Sequence, residues 1–209
     1  MAAGDEGTRL YRSVRWGRLL EMFILDTRQY RSDNSLPDGP RKSMLGAAQR
    51  RWLLQSVPAS TATWKIVVSS VTLSVPTGRP ERDGWSNANI LGLAPESGTG
   101  FATERDAILR EFRLQGVRNL VVVAADVHHA EIIRHQPHRD WEFHELIAGP
   151  LSAPWGRPRP LDDRLRPHSL FARGGLFNFG EITIEPDQLT VRFLDEAGAV
   201  LFTHTMSPG

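Results

Sequence analysis

The residues best suited to chemistry in this chain are Asp126, His128 and His129, at the end of V-R-N-L-V-V-V-A-A-D-V-H-H-A (residues 117–130). A short apolar run rich in β-branched residues reads as a strand buried on both faces, and open α/β sheets place their chemistry at the C-terminal ends of such strands. If the backbone stays extended past Ala125, side-chain alternation sends Asp126 and His128 to one side and Val127 and His129 to the other. A carboxylate beside an imidazole suits a divalent or trivalent metal such as Zn, Fe or Mn, and equally general acid–base work. D-x-H alone is a short motif, and a capping Asp with a solvated His pair is spelled the same way.

Two further groups carry related chemistry. L-L-E-M-F-I-L-D (residues 19–26) reads as a strand and runs into D-T-R-Q-Y-R. On an extended continuation Asp26, Arg28 and Tyr30 share a side. Arg28 is then either half of a surface ion pair or a planar fork for phosphate or carboxylate, held in place by Asp26. In D-G-W-S-N-A-N (residues 83–89), Asp83 and Asn87 are placed to orient polar groups of a substrate and Trp85 to wall its pocket. The plainer alternative there is a turn around a half-buried Trp.

Regular elements must bring these groups together. Ser43 can cap a helix over residues 44–57, where Leu45, Ala48, Trp52 and Leu53 fall at helical spacing and Pro58 is the stop. W-K-I-V-V-S-S (residues 64–70) is a second strand. Residues 79–100, rich in Gly, Pro, Asn and Asp, form a connection long enough to be functional or mobile. Thr103 with Asp106 resembles a capping box for a helix reaching Gln115, and Gly116 stops it before the central strand. Strand, helix, strand, helix, strand implies right-handed crossovers and a parallel sheet, with Asp26 and Asp126 at one edge. The remainder is β-rich: residues 141–147, 179–185, 188–194 and 200–204 read as strands, with hairpin turns at 186–187 and 196–198. Between the first two of these, Pro150, Pro154, Pro158, Pro160 and Pro167 stiffen residues 149–167, expected as a loop over the catalytic edge.

With 209 residues, 40% hydrophobic and 23% charged, the chain has the make-up of one globular α/β domain with a substantial core. A formal charge of +1 argues against a nucleic-acid or anionic-membrane surface, which needs a large basic excess. Nearly all the positive charge is arginine, and genome composition accounts for that as readily as phosphate recognition does. With no cysteine there is no disulfide, no thiolate ligand and no thiol nucleophile. The opening M-A-A-G-D-E-G-T-R-L lacks the apolar stretch of a signal peptide, and no apolar run reaches membrane-spanning length, so a soluble chain that is not exported is expected.

Together these pieces resemble the PhoD-like alkaline phosphatase/phosphodiesterase family, a branch of the metallophosphoesterases. The resemblance runs through Y-R-S-V-R-W-G (11–17), L-D-T-R-Q-Y-R (25–31), M-L-G-A-A-Q-R-R-W-L (44–53), W-K-I-V-V (64–68), D-G-W (83–85) and A-D-V-H (125–128). G-P-L-S-A (149–153) is also in the family style. Residues 11–209 thus resemble the C-terminal part of the family's catalytic domain, after a polar lead of residues 1–10. The resemblance implies metal-dependent hydrolysis of phosphate mono- or diesters, and a partial αββα sandwich in which a βαβαβ unit precedes a mainly antiparallel half. Family members are typically exported, and are described as using iron with calcium to activate water for attack at phosphorus. Carried over by motif, Asp126 and His128 would be metal ligands, Asp26 a ligand or the partner of one, and Arg28 a phosphate contact. His129 matches no family role. Ala125 stands where many relatives have Gly.

The family's N-terminal half brings a metal-binding Cys, a G-D-Y-type segment with a bridging Asp and a Tyr ligand, and a downstream Asn. Nothing in this chain corresponds to them. The resemblance therefore implies a truncated or split enzyme, completed by an N-terminal half-domain or prone to self-association through open sheet edges. The alternative is a non-catalytic remnant that keeps only a phosphate- or metal-binding edge.

Overall fold

The computed structural model of the chain describes residues 9–89, 91–95 and 97–209. It opens on a hairpin of β1 (Arg12–Trp16) and β2 (Leu20–Ile24), followed by α1 (Gly46–Ala59), β3 (Trp64–Val68), α2 (Ala102–Leu114) and β4 (Leu120–Ala124). The second half contains β5 (Ala130–His138), β6 (Trp141–Ile147), β7 (Pro167–Arg173), β8 (Asn178–Ile184), β9 (Leu189–Asp195) and β10 (Val200–Met206).

A seven-stranded mixed sheet has the order β1-β2-β3-β4-β6-β5-β7, and a three-stranded antiparallel sheet the order β10-β9-β8. Strands β2, β3, β4 and β6 run parallel. W-K-I-V-V and L-V-V-V-A occupy the middle of this sheet because a run apolar on both sides is stable only where both faces are covered. On one face Leu53, Val57, Ile108, Leu109 and Phe112 of the helices pack over Phe23, Val67 and Val122. On the other, Leu189, Val191, Phe193 and Met206 of the small sheet pack over Trp64, Ile66, Val121, Ile132 and Leu146. The result is three layers: helices, mixed sheet, small sheet. No helix among the described residues is long and apolar enough to cross a membrane.

The expected βαβαβ unit is present, and the four strands expected in the second half form within one to two residues of their expected ends. Strands β1, β5 and β7 were not anticipated. Helix α2 ends as expected at Gly116, where φ is 70°, Gly116 N–H donates to Arg113 O and Val117 N–H to Phe112 O, the paired bonds of a left-handed C-terminal cap. The helix starts differ. Thr103 does not cap α2, and Asp106 is drawn to Arg105 Nε at 2.8 Å instead. The start of α1 is capped by two side chains: Ser43 Oγ accepts from Gly46 N–H, and the buried Glu104 of α2 accepts from Met44 N–H and Ser43 Oγ. Pro58 lies in the last turn of α1 rather than just beyond it, where its missing N–H removes a single backbone bond.

Among its described residues the long connection between β3 and α2 has no helix or strand, yet much of it is buried. Buried carboxylates from distant elements hold it. Glu145 accepts from Leu73 N–H and Ser74 Oγ, and Asp162 accepts from Ser86 Oγ and from Arg105. This fastening fixes the course of the chain toward Asp83.

Candidate functional site

Strands β2, β3 and β4 end side by side, tied by Leu25 N–H to Val68 O and Ser69 N–H to Val123 O, each at 2.9 Å. Asp26 and Asp126 follow the first and third of these strands, so the parallel order does bring both segments to one edge. The backbone beyond them is not extended. After β2, Asp26 Oδ1 accepts from Arg28 N–H at 2.9 Å and Gln29 N–H at 3.0 Å, an Asx turn that bends the chain at once. After β4, Asp126 and His128 have φ of 79° and 63°, left-handed conformations that Asp and His tolerate better than most residues. The alternation assumed for residues 126–129 is therefore replaced by a tight turn.

His129 closes that turn from inside. It is fully buried, with Nε2 2.8 Å from Glu131 Oε2 and Nδ1 3.2 Å from Val127 O, and Glu131 accepts in turn from Ser169 Oγ. It therefore sits inside the turn and not on the open edge. The proline-rich segment crosses the same turn: Gly156 N–H donates to His128 O at 2.7 Å. A Cβ on Gly156 would stand 2.5 Å from Val127 O, so only glycine permits this approach.

Arg28 is held by a carboxylate, but not by Asp26. Its Nη1 is 2.8 Å from Asp83 Oδ1, which also takes Arg31 Nη1 at 2.7 Å and Asn34 Nδ2 at 3.1 Å. Burial alone would raise the Asp83 carboxyl pKa, but the hydrogen bonds from Arg28, Asn34 and Arg31 outweigh it and hold it below the ordinary value. Asp126 behaves oppositely. Its surroundings and the Asp83 charge raise its pKa, against the pull of Arg28, His128 and Arg159. Asp126 thus feels the charges of Asp83, Arg28, His128 and Arg159 at the rim where Arg28 meets Asp83, and nearly half of the Arg28 side chain is open to solvent.

Two expected substrate contacts do not reach that rim. Trp85 is buried in the core under the helices, its Nε1–H donating to Ser69 Oγ. Asn87 is buried too, with Nδ2 donating to Asp38 and Oδ1 accepting from Gly100 N–H. Both face inward because the connection folds over its own apolar residues. Arg31 does bind Asp83 beside Arg28, and the Arg159 charge acts on Asp126; neither is among the residues expected from the sequence. The R-P-R-P spelling of residues 157–160 was the available signal for Arg159, since two arginines stiffened by prolines are held out from the loop.

A family model described as PhoD-like phosphatase matches residues 1–193. The chain belongs to the PhoD-like phosphatase family. Alkaline phosphatase D of Bacillus subtilis (strain 168) is 28% identical over 130 residues, covering 57% of this chain and 21% of that protein. A solved structure titled "Structure of PhoD" superposes with a TM-score of 0.67 at 17% identity, over 95% of this chain and 41% of the other. The chain thus corresponds to well under half the length of these PhoD relatives, and its mixed sheet and small sheet match that part of the PhoD fold.

The iron and calcium implied by resemblance can be tested against the donors present. Asp26 Oδ2 is buried without a hydrogen-bond partner, as a ligand oxygen would be in the absence of its metal. Asp126 and His128 adjoin each other on the turn. Among the described residues, however, no three His, Asp or Glu side chains are grouped to hold a metal ion. The expected set of Asp26, Asp126 and His128 therefore does not close around one point, because the two turns replace the extended strands that would have aligned it. These residues do not fit a complete two-metal centre.

Proposed function

We propose that this chain is the phosphate-binding side of a PhoD-like phosphoesterase, and that hydrolysis of phosphate mono- or diesters requires metal ligands that the chain itself does not contain. The reading rests on one observation: Arg28 Nη1 is fixed by Asp83 while nearly half of the Arg28 side chain stays open to solvent. A guanidinium held through Nη1 alone keeps Nε and Nη2 to offer to a phosphate at little entropic cost. In this reading the three layers are part of an αββα sandwich. Asp126, His128 and the free oxygen of Asp26 are this chain's share of a metal centre of the calcium and iron type.

The completing ligands would come from an N-terminal half-domain. An open cleft of about 780 Å³ supports a partner of that kind, since Leu20, Met22, Ile66, Val68, Ile182 and Ile184 line it between the mixed sheet and β8. Among the described residues β8 pairs only with β9, which leaves its other edge open to a strand. The absence of a three-ligand group among the described residues favours a second reading, a non-catalytic module that binds phosphate without turning it over.

Titration calorimetry with orthovanadate tests the phosphate site. Arg28→Lys keeps the charge and loses the fork, and is expected to weaken binding by about 1–3 kcal/mol, roughly 5- to 150-fold. Unchanged affinity would reduce Arg28 to an ion-pair partner of Asp83.

A further inference from the structure

Next to the Arg28 rim lies a cavity of about 490 Å³ lined by Pro76, Gly78, Arg79, Arg82, Arg159 and Pro160. Its walls carry three guanidinium groups and no carboxylate. Among the described residues, none of the three has an acidic side chain within ion-pair distance. Uncompensated like charges repel one another, so their gathering around one cavity costs stability unless an anion enters it.

The backbone builds this arrangement. Gly78 has φ of 82°, and a Cβ there would stand 2.4 Å from Glu81 O and 2.6 Å from Asp83 N, so residues 78–83 close into a tight turn. That turn carries both Arg79 and Arg82. Arg82 is fastened through its N–H to Thr99 Oγ1 at 2.8 Å, and Arg159 reaches across from the proline-rich loop to donate to Pro76 O at 3.2 Å. Arg82 is half-buried, and burial together with the Arg79 charge lowers its pKa, the mark of a cation with no nearby counter-charge.

The cavity also joins the phosphate rim. Asp83, which holds Arg28, directly follows Arg82, and the Arg159 charge acts on Asp126. We propose that the Arg79–Arg82–Arg159 cavity is a second anion subsite that takes a further phosphate of the same substrate, so that the preferred ligands carry two or more phosphates in a row. A tetrahedral phosphate offers oxygens to several guanidinium groups at once, whereas a carboxylate occupies a single fork. The proposal rests on the reading of the Arg28 edge as the first phosphate site.

Calorimetric titration with two probes, inorganic phosphate and inorganic tripolyphosphate, separates the two claims. The parent chain should bind tripolyphosphate about tenfold or more tighter than phosphate. Arg79→Gln/Arg82→Gln, which leaves Arg28, Arg31 and Arg159 in place, should reduce that preference to about twofold while phosphate affinity stays within about twofold of the parent. Arg118→Gln/Arg139→Gln removes the same charge at the opposite end of the sheet and should leave the preference intact. A preference that survives Arg79→Gln/Arg82→Gln, or falls equally in the remote variant, overturns the subsite. Unchanged phosphate binding in Arg28→Lys overturns the first site instead, whatever becomes of the preference.

Discussion

Replacing Arg105 by Met tests how the site is held in place. Arg105 and Asp162 are 1% and 0% exposed, and Nη1 of the arginine lies 2.9 Å from Asp162 Oδ2 and 2.6 Å from Leu73 O. Asp162 also accepts from Ser86 Oγ at 2.7 Å and Arg164 N–H at 3.1 Å, so this buried pair joins α2, the long connection and the turn before β7. Arg105→Met conserves most of the volume but leaves the Asp162 charge buried and unpaired. Breaking one side of a buried pair costs about 3–5 kcal/mol. The second contact, to the partly exposed Asp106, adds little because solvent screens it. For a chain of this size about 1 kcal/mol moves the melting point by roughly 2–4 °C, so a fall of about 6–20 °C is expected by circular dichroism. Orthovanadate affinity should fall as well, because the connection that carries Asp83 loses its anchor. Adding Asp162→Asn should restore part of the stability by removing the stranded charge. A fall of less than about 3 °C, or a double variant no more stable than Arg105→Met, would refute the reasoning.

His144 sits between the sheets with its ring centroid 5.5 Å from that of His204, and burial, followed by the charges of His204, Arg134 and His135, lowers its pKa from 6.5 to about 4. The unfolded chain then binds more protons than the folded one between those values. Stability is complete above pH 6.5 and is lost as pH falls toward 4, by about 3 kcal/mol in all. Urea midpoints across that range should show the slope, and His144→Gln should flatten it; an identical slope in the variant would assign the effect elsewhere. The open cleft beside β8 predicts concentration-dependent association in sedimentation velocity, reduced by Ile182→Lys, and a chain monomeric at all concentrations would count against an exposed edge.

Much of the scaffold was legible because burial on both sides leaves a plain record. The β-branched runs of β3 and β4 and the glycine after α2 each admit one economical reading. β1 was missed since R-S-V-R-W is an exposed edge strand with no apolar alternation, and β5 since charges, histidines and Pro137 interrupt E-I-I-R-H-Q-P-H. The edge that carries the candidate residues was legible, but their geometry was not. Asp126 and Arg28 do lie at one edge, but no spacing along the chain reveals that Asp83, 55 residues away, is the carboxylate that holds Arg28. Nor does the alternation rule survive a turn in which Asp126 and His128 both take positive φ. Trp85 and Asn87 were misplaced for a related reason: a long polar-looking connection was folded inward by Glu145, Asp162 and Arg105, partners that are remote in sequence.

On the proposed function, the chain binds phosphate esters but its described residues do not form a complete hydrolytic centre. Turnover of bis-p-nitrophenyl phosphate and p-nitrophenyl phosphate by the purified chain, with calcium and iron added, tests it most directly. Since no three ligands are grouped among the described residues, metal should be held weakly and turnover should be low or absent with little rescue. Robust, metal-dependent hydrolysis that is abolished by His128→Ala would contradict the account.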